Sequence, residues 1–189
     1  MTPFEYVTLL TSIVLALGIT RILTGISKIV QLRGRIRHSW LILLWAVDSL
    51  LYLLLNWWIL FRWRSTTTWT FFLFLFVLIS PLIAFLMAAL LFPEPLEAGT
   101  DLKAHFLDNH RQFFCLAALL PVVDAADTML KGWDHFQAQG PQYIATLSLI
   151  FVLSLVAAAV KKERFHAAFG IFFLVYILVF ITINLKILN

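Results

Sequence analysis

Residues 40–61, WLILLWAVDSLLYLLLNWWILF, decide the fold of this chain. Asp48 is the only formal charge in a stretch made mostly of leucine, isoleucine and tryptophan. A helix that crosses a bilayer core of roughly 30 Å needs about 20 such residues. The stretch is therefore predicted to span a membrane. A charge inside a span needs a partner or a functional role, which makes Asp48 the first residue of interest.

The rest of the chain repeats this pattern. Of its 189 residues, 62% are hydrophobic and 13% are charged, and the mean hydropathy is +0.94. A soluble domain of this size could not bury several segments of that length. We expect an all-α polytopic membrane protein, with residues 1–189 forming one compact transmembrane bundle. The six predicted spans are residues 7–30, 40–61, 69–92, 113–130, 143–160 and 165–188.

One loop is long enough to hold an element of its own. Pro93 and Pro95 break the helix after the third predicted span, and apolar residues recur periodically from Leu102 onward. This pattern predicts a short amphipathic helix over residues 100–112 that lies along the membrane interface.

Lysine and arginine placement predicts the orientation. The side of the loop 31–39 carries Lys28, Arg33, Arg35, Arg37, Lys103, Arg111, Lys161, Lys162 and Arg164. The opposite side carries only Arg62, Arg64, Lys131 and Lys186. By the positive-inside rule the first side is cytoplasmic, and both termini lie outside the cytoplasm. The net charge of +4 then predicts contact between the basic cytoplasmic loops and anionic lipid of the bilayer, and no nucleic-acid partner.

Polar residues within the spans form the candidate site. At 1.5 Å of rise per residue, Arg21, Asp48 and Asp124 share a layer roughly 12–16 Å from the cytoplasmic end of their spans. Further outward lie Tyr52, Asn56, Asp127 and Thr128, and finally Lys131 at the far edge. The predicted ion or proton pathway comprises Arg21, Asp48, Tyr52, Asn56, Asp124, Asp127 and Thr128.

Charge counting within this set predicts the pairing. Arg21 and Asp48 lie at matching depth on consecutive antiparallel spans, so we expect them to pair. Asp127 and Lys131 are four residues apart and face each other on one helix. Asp124 is then the carboxylate without a fixed cation, a natural site for a proton or a small cation. Alternatively, all of these groups form a structural polar knot.

Small and aromatic residues predict the packing. Gly18 and Gly25 flank Arg21 on one face, which favours close approach of a neighbouring helix. The tryptophans near span ends are expected to be interfacial anchors: Trp40, Trp57, Trp58, Trp63, Trp69 and Trp133. A homo-oligomer is predicted, with phenylalanines of the third and sixth spans between subunits: Phe71, Phe72, Phe74, Phe76, Phe172, Phe173 and Phe180.

Signatures of metal, cofactor or enzyme chemistry are missing from the sequence. His38, His105, His110 and His166 map to span ends and loops, so no metal ligand and no cofactor are predicted. Asp101, His105 and Asp108 share a face, which leaves a peripheral metal site as an alternative to a solvated surface. Zinc-protease, serine-hydrolase and nucleotide-binding motifs do not occur. No catalytic residue is predicted, and a single cysteine, Cys115, excludes an internal disulfide.

Several short motifs carry a resemblance. They are Phe4-Glu5-Tyr6-Val7, Leu17-Gly18-Ile19-Thr20, Leu44-Trp45-Ala46, Asn56-Trp57-Trp58 and Ala88-Ala89-Leu90-Leu91-Phe92-Pro93. Together with residues 105–114, they resemble a group of small bacterial multi-pass inner-membrane proteins that has no known activity to transfer. The resemblance implies a bacterial inner-membrane location and nothing about mechanism.

The sequence thus predicts a bundle whose first, second and fourth helices enclose a polar interior. Its predicted function is passage of protons or small cations, as a channel or a transporter core. The alternatives are a non-catalytic scaffold or lipid-binding subunit, in which buried charges only fix helix register, and a lipid-modifying enzyme.

Overall fold

Six long helices make up most of the chain. The computed structural model describes residues 2–37, 39–66 and 68–184. In chain order the helices are α1 (Pro3–Gln31), α2 (Trp40–Leu60), α3 (Phe71–Leu91), α4 (Leu102–Leu130), α5 (Trp133–Ala138), α6 (Pro141–Ala159) and α7 (Glu163–Asn184), and a 3₁₀ turn, Phe61–Trp63, follows α2. All except α5 are long and apolar enough to cross a membrane. The all-α polytopic fold predicted from the sequence is confirmed, and residues 185–188 of the last predicted span lie outside the described residues.

Side-chain caps define where several of these helices begin. The Thr2 hydroxyl accepts a hydrogen bond from the Glu5 main-chain N–H, and the Glu5 carboxylate accepts one from the Thr2 N–H. Thr70 caps α3 and Asp101 caps α4 by the same kind of contact, to the N–H three residues ahead. Each cap satisfies a donor that has no partner within the helix.

The prediction of a separate interfacial helix over residues 100–112 is wrong. Asp101 starts a helix that runs without a break from Leu102 to Leu130. Phe106, Phe113 and Phe114 are spaced so that they share one stripe, and all three are buried. That stripe packs into the bundle and continues into the membrane-spanning part. A short helix, α5, instead follows the other end of α4.

Five helices form a ring, and one lies outside it. α2, α3, α4, α6 and α7 contact one another in that order, and α1 packs against α2 and α3 from outside. The ring is closed least tightly between α6 and α7, which barely contact each other. A bundle built in this way has an interior that α1 does not reach.

Two glycines set how closely α1 approaches its neighbours. A Cβ atom at Gly25 would lie only 2.3 Å from the Phe92 ring, and one at Gly18 would lie 3.1 Å from the Leu53 methyl groups. The predicted close approach beside Arg21 is confirmed. The closely packed region of α1 and α3 around Gly25 and Phe92 is called the α1–α3 seam below.

The basic end of the bundle is tied together by loops. The main chain of Arg37 donates to the Thr100 carbonyl at 3.0 Å, and Gly99 donates to the Arg35 carbonyl at 2.7 Å. Lys103 pairs with Glu163 at the same end. The loop 32–37 and the segment 92–101 therefore form one structure, opposite the end that carries α5.

Candidate functional site

A cavity of about 410 Å³ lies inside the ring of α2, α3, α4, α6 and α7. This volume falls within the range of small-molecule binding sites. Apolar and aromatic side chains line the half nearer the basic end, among them Trp45, Met87, Phe169 and Phe173. Charged and polar side chains line the half nearer α5, among them Arg62, Asp124, Asp127, Lys131 and Tyr143. We call this second half the polar mouth.

An ion-paired cluster occupies one side of the polar mouth. Asp127 and Lys131 form the predicted ion pair across one helical turn, with both side chains largely buried. The Trp63 indole N–H donates to the other Asp127 oxygen at 2.9 Å, and the Lys131 ammonium lies 4.9 Å from the Trp63 ring centre. Three groups thus satisfy one another, so Asp127 is held in place rather than available to a ligand.

Trp63 corrects the prediction that the tryptophans near span ends are all interfacial anchors. Its side chain is 5% exposed, whereas Trp40, Trp57 and Trp133 are each more than half exposed. The 3₁₀ turn after α2 directs Trp63 back toward α4, where Asp127 accepts its N–H. The sequence signal, a tryptophan between Arg62 and Arg64, gives no indication of this turn.

Asp124 differs from Asp127 in its partners. The Tyr143 hydroxyl lies 3.1 Å from both a carboxylate oxygen and the main-chain oxygen of Asp124, so its single proton is shared between them. The Thr128 hydroxyl lies 2.8 Å from the Tyr143 oxygen and completes the chain. Among the described residues, no cation lies within ion-pair distance of Asp124. Asp124 is therefore an exposed carboxylate in the cavity wall that forms no direct ion pair with a described residue, although Lys131 and Arg62 line the same cavity.

A neutral polar group faces the cavity from α2 and α3. The Asn56 amide donates to the Ser80 hydroxyl at 2.7 Å, and the Tyr52 hydroxyl lies 3.0 Å from the same oxygen. Tyr52 and Asn56 are site residues predicted from the sequence, whereas Ser80 and Tyr143 are not. Ser80 lies in the most apolar span, directly before Pro81. The interruption of this apolar run by a serine is the only feature of the sequence that could have indicated Ser80 as a site residue.

The predicted pairing of Arg21 with Asp48 is wrong. Arg21 pairs with Glu94 at 2.6 Å and donates to the Phe92 carbonyl at 3.2 Å. Because Gly25 lets Phe92 lie against α1, the segment after α3 comes within reach of the guanidinium. Arg21 and Asp48 lie at the same predicted depth in the membrane, but the Arg21 side chain contacts the segment after α3, whereas Asp48 lines the interior of the bundle. Arg21 therefore lies outside the cavity, and the polar interior is not enclosed by the first helix as predicted.

Asp48 lies behind the cavity wall rather than in it. Its side chain is 1% exposed, and no described residue donates a hydrogen bond to its carboxylate. It lines a separate void of about 20 Å³ that also touches Ser49 and Tyr52. The seven predicted pathway residues therefore divide into a cavity group of five, an α1 residue and this buried acid.

Aromatic side chains close the cavity toward the basic end. The Trp45 ring lies 4.9 Å from the Phe114 ring and 5.4 Å from the Phe169 ring, measured between centroids, in edge-to-face contacts. Phe76, Phe173 and Phe180 line the cavity, so three of the phenylalanines predicted between subunits face inward instead.

The residues of the alternative metal site have other partners. Asp101 caps α4, His105 contacts the Leu90 carbonyl at 3.1 Å, and Asp108 pairs with Lys161 at 2.7 Å. The Ala104 N–H and then the nearby Arg37 hold the pKa of Asp101 below its usual range. Within residues 2–37, 39–66 and 68–184, no three histidine, cysteine or acidic side chains are grouped to hold a metal ion. His38 lies outside the described residues.

The fold and the cavity define an integral, multi-pass membrane protein with an internal chamber. Comparisons with protein-family models, curated proteins and solved structures find no match to this chain. The resemblance to bacterial inner-membrane proteins stays a prediction from the sequence.

Proposed function

We propose that the cavity binds a small organic cation with an apolar body, and that the protein is the core of a transporter for such molecules. The observation that carries this proposal is Asp124, a carboxylate without a cationic partner among the described residues, exposed in the wall of a cavity of about 410 Å³.

The cavity matches such a ligand in two ways. The half of the cavity nearer the basic end offers aromatic faces, including Phe169, Phe173 and Tyr176, against which an apolar or positively charged group can pack. Asp124 supplies the opposite charge at the polar mouth. Within a membrane an unpaired carboxylate is costly, and a bound cation removes that cost while the apolar body leaves water.

Three other ligand classes compete with this proposal. Arg62 also lines the polar mouth, so an amphiphile with an anionic head is the direct competitor. The proton or small-cation passage predicted from the sequence would require a polar route past Trp45 and Phe114, where rings are in contact. A lipid acyl chain would fill the apolar half and would not use Asp124.

Two probe ions of matched shape and opposite charge separate these ligand classes. We expect the purified protein in lipid nanodiscs to bind tetraphenylphosphonium more tightly than tetraphenylborate, measured by calorimetry against empty nanodiscs. Asp124→Asn should weaken binding of the cation by about tenfold or more, which corresponds to about 1.4 kcal/mol. Asp134→Asn, which removes the same charge from α5 outside the cavity lining, should leave binding unchanged.

Equal binding of the two ions, or no effect of Asp124→Asn, would contradict the proposal. Tighter binding of the borate that Arg62→Gln abolishes would assign the mouth to anionic amphiphiles. Uptake into proteoliposomes, compared with empty liposomes, tests transport. Faster proton or potassium flux without binding of the organic cation would support the small-ion prediction instead.

Sidedness and assembly form part of the same proposal. We propose that both termini and the polar mouth face away from the cytoplasm of a bacterial inner membrane. In a Cys115→Ser background, an impermeant thiol reagent should label Gln137→Cys from outside and should not label Glu163→Cys. Equal labelling of both positions would overturn the orientation.

We also propose a non-enzymatic homo-oligomer. Phe71 and Phe72, at the α5 end of α3, are 68% and 82% exposed, and both remain available for contact between subunits or with lipid. Native mass spectrometry from nanodiscs should show more than one chain, and a single chain in every lipid composition would contradict this part of the proposal.

A further inference from the structure

Three side chains on successive turns of α2 have polar atoms without a hydrogen-bond partner. Trp45, Asp48 and Ser49 are 2%, 1% and 7% exposed. In the described part of the chain, nothing forms a hydrogen bond with the Trp45 indole N–H, either Asp48 oxygen or the Ser49 hydroxyl. Buried polar atoms are nearly always satisfied, by protein or by ordered water. A group of three such residues on one helix therefore points to a ligand.

These side chains surround the void of about 20 Å³. A void needs roughly 10–15 Å³ of this kind of volume to hold one water molecule, and such a water usually has two to four polar partners. Apolar residues form most of the remaining wall, among them Ala84 and Leu120. The space therefore admits one water molecule or one ion of similar size.

We propose that Trp45, Asp48 and Ser49 bind a single water molecule and that Asp48 carries an exchangeable proton in this site. The water oxygen accepts from the Trp45 N–H and from the protonated Asp48 hydroxyl. Its two hydrogens are donated to the Asp48 carbonyl oxygen and to the Ser49 hydroxyl oxygen. Every unpartnered atom is then satisfied and the site carries no net charge, as an apolar surrounding requires.

A metal cation fits the same void less well. Hard cations take about six oxygen ligands, whereas Asp48 and Ser49 together supply three. The Trp45 N–H, which points its positive end at any bound group, opposes a cation and favours an acceptor such as water.

Among the described residues, no positively charged side chain lines the void beside Asp48. The void is lined by only one other titratable residue, Tyr52. α3 contains no titratable residue, and Arg21 on α1 is paired with Glu94. Along α4 and α7, Asp124 lies one turn beyond Leu120 and Tyr176 lies three residues beyond Phe173, whereas the buried His166 of α7 stacks on the Phe114 ring and does not line the void. Neither Asp124 nor Tyr176 supplies a positive charge.

The void and the main cavity share one wall. Trp45, Tyr52, Met87, Leu120 and Phe173 line both spaces. Tyr52 continues from this wall into the hydrogen-bonded group with Ser80 and Asn56. Tyr52 is therefore the polar side chain of this wall past which the proposed Asp48 proton would reach water of the cavity, independently of whether the cavity binds an organic cation.

Infrared spectroscopy of the protein in nanodiscs at neutral pH tests this site. We expect a C=O band of a protonated carboxylic acid that moves when H₂O is replaced by D₂O. Selective ¹³C labelling of aspartate side chains should move the same band, and this needs no substitution. The band should be absent in Asp48→Asn and present in Asp124→Asn.

Each other outcome overturns the proposal. A missing band shows that Asp48 is ionised, and a band that survives in Asp48→Asn belongs to another acid. A band present in choline chloride and lost in sodium chloride assigns the void to a cation. If Asp48→Asn does not fold, Asp48→Glu provides the second variant, since a longer acid should change the band position if the band comes from this residue.

Discussion

The α1–α3 seam and the α6–α7 contact differ sharply in how closely their helices pack. At the seam, Gly25 has no side chain, and the Phe92 ring lies where a Cβ atom would be 2.3 Å away. α6 and α7 follow each other in the chain and both line the cavity, yet they barely contact each other. Both regions are made of apolar residues. The comparison shows that hydropathy alone does not bring two helices together, and that at the seam a residue without a side chain permits the close approach.

Filling the seam should have the largest effect. Gly25→Ala places a Cβ atom against the Phe92 ring, and we expect a loss of about 2–3 kcal/mol from overpacking, measured as thermal or denaturant stability in detergent. Gly18→Ala is the matched control, because the Leu53 methyl groups 3.1 Å away belong to a flexible side chain. Alanine raises helix propensity by about 1 kcal/mol at both positions, so the difference between the variants isolates the clash. Equal stability of the two would refute the tight seam.

Breaking the ion pair at the polar mouth should have an intermediate effect on stability. Lys131→Met leaves Asp127 with only the Trp63 N–H, and we expect a loss of about 1–2 kcal/mol because the pair is only partly solvated. Adding Asp127→Leu should recover much of the loss, since removing both charges leaves no unpaired group. A double variant less stable than Lys131→Met alone would show that Asp127 has a further partner.

The charges around Arg21 test whether the α1–α3 seam is energetically independent of the buried Asp48 on α2. A double-mutant cycle with Arg21→Met and Glu94→Gln should give a coupling of about 0.2–1 kcal/mol, because Glu94 is 70% exposed. The corresponding cycle between Arg21 and Asp48 should give a coupling within about 0.5 kcal/mol of zero. A large coupling between Arg21 and Asp48 would restore the pairing predicted from the sequence.

Acid should loosen the basic end slightly. The folded protein holds the pKa of Asp101 below its usual range, first through the Ala104 N–H and then through Arg37. A lowered pKa gives stability that is present above the ordinary pKa of about 3.9 and is lost as the pH falls through the folded value. Protection factors of the amides at the start of α4, which correct for the pH dependence of intrinsic exchange, should therefore fall on acidification below about pH 4. Asp101→Asn, which keeps a capping oxygen without the charge, should remove this pH dependence.

Hydropathy was sufficient to predict the spans, because their length and composition leave no other way to bury them. Local spacing was also sufficient for Asp127 with Lys131, since a helix fixes the direction of residues four apart. It was not sufficient for Arg21, because depth along the membrane says nothing about which helix lies beside which. Ser80, Tyr143 and Trp63 were missed for the same reason: each reaches the cavity only through the arrangement of separate helices.

The helices of this bundle differ greatly in length. α4 has 29 residues, about 43 Å at 1.5 Å per residue, whereas α6 has 19 residues, about 28 Å. A hydrocarbon core of about 30 Å is exceeded by the first and only just spanned by the second. α4 is long enough to span a thicker membrane. α6 is not, so its flanking side chains must extend toward the interface or the bilayer must become thinner around it. Bilayer thickness therefore acts on this protein mainly through α6, the helix that forms one wall of the chamber.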